Sequence, residues 1–143
     1  MKCSQADTPH WSTICNVNDP TFRAIVTTIV PEAASLDAGG WQRLESLVDA
    51  LVNERPENLR RQLRMFLHLI EWMPVLRFGG TFTALDPARR TRVLTWLQNH
   101  PVTLVRVGFW GLRTMALLGY YGRPEAAGEI GYAASPRGWE AVR

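Results

Sequence analysis

An all-α fold, one domain of five to six helices, is what this chain predicts. Apolar residues recur at i, i+3, i+4 and i+7 along most of its length, and two Asp-Pro pairs stand where such stripes begin. Runs of alternating polarity, the mark of strands, are almost absent. At 143 residues the chain has the size of a single domain, able to bury roughly two-thirds of the surface its unfolded form exposes. Its 46% hydrophobic and 20% charged residues exclude disorder as the general state.

The elements follow in order. Residues 1–18 read as an extended N-terminal tail with no apolar leader core, twin arginine or small-residue cleavage pattern, so a cytoplasmic protein is expected. Asp19-Pro20 then caps a helix carrying Phe22, Ile25, Val26 and Ile29, ended by Pro31. Ser35 to Gly40 (SLDAGG) reads as a loop, and Trp41, Leu44, Val48, Leu51 and Val52 as the stripe of a second helix. A third starts near Pro56. Leu59, Leu63, Phe66, Leu67 and Ile70 form one apolar face, Met65, Leu69, Trp72 and Leu76 another, with Arg60, Arg64, His68 and Glu71 on a narrow polar strip. Two apolar faces predict neighbours on two sides, hence a central position. Arg77-Phe78-Gly79-Gly80 breaks this helix. Asp86-Pro87 opens the next, with Val93, Leu94 and Leu97 facing inward and Trp96 beside them.

After His100-Pro101 comes a helix apolar all round, through Leu104, Val105, Val107, Phe109, Trp110, Leu112, Met115, Leu117 and Leu118. Arg106 and Arg113, each costing about 3 kcal/mol near a bilayer centre, argue for a buried helix over a membrane span. Gly108 and Gly111 sit one turn apart; each costs about 1 kcal/mol against alanine, which predicts the close approach of another backbone. The helix has apolar residues for more than one inner face, so either it is central too or something outside the chain covers it. Tyr120-Tyr121, a Gly-Arg-Pro break and Ile130-Gly131-Tyr132 follow. The predicted domain thus runs over 19–132, with 133–143 as a C-terminal tail.

The sequence contains no convincing catalytic constellation. No catalytic, cofactor-binding or metal-ligating residue is expected in this chain. His68 and Glu71 lie one turn apart beside arginines and read as a solvated ion-pair face. Cys3 and Cys15 lack the histidines of a zinc site and read as reduced thiols, with a bridge to another chain left open. No phosphate-binding loop or dinucleotide fingerprint occurs. Six tryptophans raise the expectation of a partner, against the alternative of an aromatic core. The net charge of +3 rests on arginine, with Lys2 the lone lysine, a skew that points to coding bias more than to nucleic acid. Arg55, Arg60, Arg61 and Arg64 are diluted by Glu54 and Glu57, and Arg89, Arg90 and Arg92 by Asp86. They read as solvated faces or polar rims of a contact. A free-standing helical regulator or nucleic-acid binder using these faces is the alternative.

Leu85 and Pro87, Trp96, Arg106, Phe109, Leu112-Arg113, Tyr120-Tyr121, Pro124 and Ile130-Gly131-Tyr132, in this order and spacing, resemble the gluconate 2-dehydrogenase subunit 3 family over about the last 60 residues. Upstream, Arg23 to Pro31 is similar to that family's first helix and its Ile-Val-Pro ending. The resemblance implies a helical, non-catalytic small subunit of a hetero-oligomeric oxidoreductase complex. Its partner would be a large dehydrogenase subunit of the glucose-methanol-choline type, carrying FAD and oxidising CH–OH groups, which the small subunit helps to fold and stabilises in a chaperone-like way. It also implies an interface through Arg106, Phe109, Trp110, Arg113, Tyr120, Tyr121, Pro124, Ile130 and Tyr132, with the C-terminal tail 133–143 packing on the partner subunit, and without nucleic acid or membrane insertion. Two departures bear on this. The twin-arginine signal of many members is missing, which favours a cytoplasmic complex. Ala126 and Ala127 stand where a tryptophan is often found, so Trp110 or Trp139 would take its place as anchor.

Overall fold

Aspartate side chains start three of the helices. Asp19 Oδ1 accepts from the Thr21 amide at 2.9 Å, Asp37 Oδ1 from Gly40 at 2.7 Å and Asp86 Oδ2 from Arg89 at 3.3 Å, each satisfying a donor that has no partner within its helix. Behind them run α1 (Pro20–Ile29), α2 (Ala38–Asn53) and α4 (Pro87–Gln98); α3 (Glu57–Phe78), α5 (Thr103–Tyr121) and α6 (Pro124–Glu129) complete the set. Short 3-10 turns at Pro31–Ser35 and Phe82–Ala84 link α1 to α2 and α3 to α4. The computed structural model describes residues 19–129 and Gly131, and among them there are no strands. The expected tails 1–18 and 133–143, with both cysteines, Tyr132 and Trp139, lie outside the described residues.

The predicted all-α class holds, with six α-helices among the described residues. The Ser35–Gly40 loop needs correction. Asp37 caps α2, so Ala38, Gly39 and Gly40 form its first turn, where a Cβ at Gly40 would stand 3.0 Å from Leu36 Cδ2 and from the capping Asp37 Oδ1. Gly79 closes α3 in the left-handed conformation at φ 73°, its amide bonded to the Val75 carbonyl.

The core is centred on α5, which packs on α2, α1, α4 and α6. Phe109, Leu112, Ala116 and Tyr120 face inward against Phe22, Ile25, Val26, Leu44, Val48 and Leu97. Gly119 makes the α2 contact close: a Cβ there would stand 2.8 Å from Val48 Cγ2 and 3.2 Å from Leu44 Cγ. The expected close approach at Gly108 and Gly111 takes a different form. A Cβ at Gly108 would meet the Phe66 ring at 3.2 Å, a side chain and not a backbone, and one at Gly111 would meet nothing within 4 Å.

The expectation that α3 is central is also corrected. It packs chiefly on α1 and on the Phe82–Ala84 turn, with Leu67, Ile70 and Pro74 buried, and meets α5 through Phe66, while its second apolar face stays open. Glu71 is fixed by that packing and is not part of a solvated ion-pair face. Its carboxylate accepts from Thr21 Oγ1 at 3.0 Å and from Thr83 Oγ1 at 2.6 Å, joining α3 to α1 and to the turn before α4. A matching clamp joins α1 to α2, where Arg23 Nε donates to the buried Glu45 at 2.6 Å and the guanidinium lies over Trp41.

Candidate partner interface

The second face of α3 points into solvent. Met65, Leu69, Trp72 and Leu76 recur at helical spacing opposite Leu67 and Ile70, and all are exposed, Leu76 to 95%. An amphipathic helix explains one apolar face; a second, uncovered one has no stabilising role within the fold.

On α5, the buried Phe109, Leu112, Ala116, Gly119 and Tyr120 occupy one side. At about 100° per residue, the exposed Leu104, Val107, Trp110, Leu118 and Tyr121 spread over an arc of roughly 120° on the other. Of the alternatives posed by the all-round apolar sequence of this helix, the central position is therefore the one realised within the chain. It is central, and it still presents apolar surface to the outside.

Between the exposed sides of α3 and α5 runs an apolar groove of about 660 Å³. Leu59, Phe66 and Leu69 form one wall, Leu104 and Val107 the other, and Gly111 keeps it open because no side chain fills the space above it. Its polar side chains are Arg55, Arg60 and Gln62; no carboxylate lines it. The Nε atoms of Arg60 and of the neighbouring Arg64 are buried without an acceptor among the described residues.

The tryptophans decide between core and surface. Of the four described, Trp72, Trp96 and Trp110 are 62%, 50% and 44% exposed, and only Trp41 packs against the core. An aromatic core is thereby excluded as the reason for the tryptophan content of the described residues.

The residues named for the interface divide. Trp110, Tyr121 and Pro124 are exposed, Trp110 with the half-buried Arg113 guanidinium 5.0 Å from its ring. Arg106 is half-buried and donates to the His100 carbonyl at 3.2 Å. Phe109 and Tyr120 are only 3% and 4% exposed, so in this fold they belong to the chain's own core and have no surface to offer. Tyr120 further donates its hydroxyl to Glu129 at 3.2 Å and lies beneath Arg123. Burial, reinforced by Glu129, pushes that hydroxyl above the usual tyrosine range. Ile130 and Tyr132 lie outside the described residues. What the sequence reading missed is that the exposed α3 face and the exposed α5 arc flank one groove. Periodicity marks the residues of both, but only the packing of the fold brings them to one surface.

The arginine clusters differ in their use. Arg89 pairs with Asp86 at 3.3 Å, and Arg90 donates to the carbonyls of Phe82 and Thr83, so the α4 cluster largely holds its own fold. Arg55, Arg60, Arg61 and Arg64 make no ion pair among the described residues. No group of three or more His, Cys, Asp or Glu side chains is gathered to hold a metal among these residues, and no described helix is long and apolar enough to cross a membrane.

Residues 18–142 match the family model described as gluconate 2-dehydrogenase subunit 3. No curated protein and no solved structure matches the chain.

Proposed function

Because the chain belongs to the gluconate 2-dehydrogenase subunit 3 family, we propose that it is the non-catalytic subunit of a hetero-oligomeric dehydrogenase, docked through the exposed apolar sides of α3 and α5. The partner in this reading is a large FAD-dependent subunit of the glucose-methanol-choline type. The flavin supplies the hydride acceptor for oxidation of a CH–OH carbon. This chain supplies shape: it covers apolar surface on the large subunit and stabilises its folded form by binding that form alone.

The observation that carries the reading is the amount of apolar helix surface left open by a finished fold. Leu76, Leu104, Met65, Trp72 and Val107 are all more than half exposed, on a chain whose core is already complete without them. Patches of this kind mark interaction sites, and an obligate interface is expected to bury more than about 2,000 Å². A nucleic-acid surface is disfavoured by the same facts, since the groove is apolar and two of the three arginines in the α4 cluster are held internally.

Co-expression of the chain with the dehydrogenase reading frame beside its own tests the reading. A complex that carries a yellow flavin, and a large subunit that loses solubility and activity when expressed alone, is the expected result. A large subunit that folds and turns over normally without this chain contradicts it.

A further inference from the structure

Granting that the chain is such a subunit, we propose that the α3/α5 groove receives an amphipathic α-helix of the large subunit, about three turns long, with carboxylates directed at Arg55 and Arg60.

The backbone chemistry of the groove selects a helix. Its walls are side chains of α-helices, and its few polar groups are Arg55, Arg60 and Gln62. An extended segment laid there would bury amide and carbonyl groups with no sheet edge to pair them, whereas a helix satisfies its own. The dimensions agree. The lining stretches Leu59–Leu69 and Leu104–Met115 each run roughly 15–18 Å at 1.5 Å per residue, the length of about three helical turns. An occupant of that length presents apolar anchors at i, i+3 or i+4, and i+7.

Charge selects the partner. The groove carries arginine and no carboxylate, and its Arg55 and Arg60 make no ion pair among the described residues. Glu54 and Glu57 stand at the nearby α2–α3 junction but neither lines the groove nor pairs with these arginines among the described residues. A second copy meeting the groove with its own α3 would set arginine against arginine. The segment 132–143 carries two arginines and one glutamate, the wrong sign for the site. An acidic helix from another protein supplies the missing acceptors as charge-assisted bonds.

The test places a photo-crosslinking amino acid at Met65 or Val107, both exposed on the groove rim, in the chain co-expressed with its large subunit. Adducts mapping to one large-subunit segment, with apolar residues at helical spacing and Asp or Glu at its flank, are the expected outcome. Arg60→Glu should then weaken the complex by roughly tenfold or more while the circular dichroism of the chain stays helical, and Arg60→Gln should weaken it less. A complex that forms but yields adducts to residues 132–143, to a second copy or to a strand or basic segment overturns the helix proposal and leaves the subunit reading standing. Failure of any complex to form overturns both.

Discussion

Alanine at Gly119 and at Gly111 should move stability in opposite directions. Both glycines lie within α5, so each replacement gains about 1 kcal/mol of helix propensity. At Gly111 a Cβ meets nothing within 4 Å, and that gain should appear in full. At Gly119 the Cβ lands 2.8 Å from Val48 Cγ2 and 3.2 Å from Leu44 Cγ, closer than carbon atoms tolerate. Both neighbours are short branched side chains of the facing helix, so α2 must move as a unit, and overpacking of this kind costs about 1–3 kcal/mol. The propensity term cancels between the two variants. Their difference isolates the overpacking, about 2 kcal/mol, or roughly 6–10 °C in Tm for a domain of this size. Urea unfolding followed by circular dichroism reads it directly, the denaturant also keeping an apolar chain dispersed. Equal effects at the two positions, or a stabilising Gly119→Ala, would refute the α2–α5 packing on which the outward arc of α5 depends.

Other outcomes follow from named contacts. Glu71→Ala leaves Thr21 and Thr83 without their acceptor and should destabilise the fold by about 2–3 kcal/mol, with Glu71→Gln milder, measured by the same unfolding curves. Trp110→Ala should leave the chain helical and weaken the hetero-complex by about 2 kcal/mol or more, read by titration calorimetry. Burial first, then Glu45, holds the Asp49 carboxyl above its ordinary value of 3.8. The folded state thus binds that proton more tightly than the unfolded one, and the associated stability is whole below the ordinary value and lost as pH rises through the raised one. Asp49→Asn should accordingly raise Tm at neutral pH, with the gain shrinking towards nothing below about pH 3.8; a gain that is the same at both pH values would contradict it.

Much of this was legible in the residues. Asp19-Pro20 and Asp86-Pro87 marked two helix starts because both cap chemistry and proline are local signals. Asp37 escaped because Gly39-Gly40 behind it imitates a loop, although its side chain makes the same capping bond. The second apolar face of α3 was read correctly as a face. Whether a neighbour inside the chain covered it was not readable, since periodicity carries no information about what lies opposite. The role of Glu71 depends on Thr21, fifty residues away, and on Thr83 across a turn, so its local neighbours His68 and Arg64 suggested a solvated strip instead. Gly119 gave no signal either; the close approach was expected at Gly108 and Gly111, but the facing residue on α2 decides it. For the proposed interface the sequence singles out aromatic residues of α5. The fold places Phe109 and Tyr120 inside, leaves Trp110 and Tyr121 outside, and adds the α3 face.

In the proposed complex the open apolar sides of α3 and α5 bind the large dehydrogenase subunit. Light scattering on the co-expressed pair, with and without Met65→Asp and Val107→Asp together, tests it most directly, because both side chains are solvent-exposed and the fold has no need of them. A single defined hetero-complex that dissociates on the double substitution, while the chain remains helical, is the expected result. A complex that persists unchanged with both aspartates in place would contradict the account.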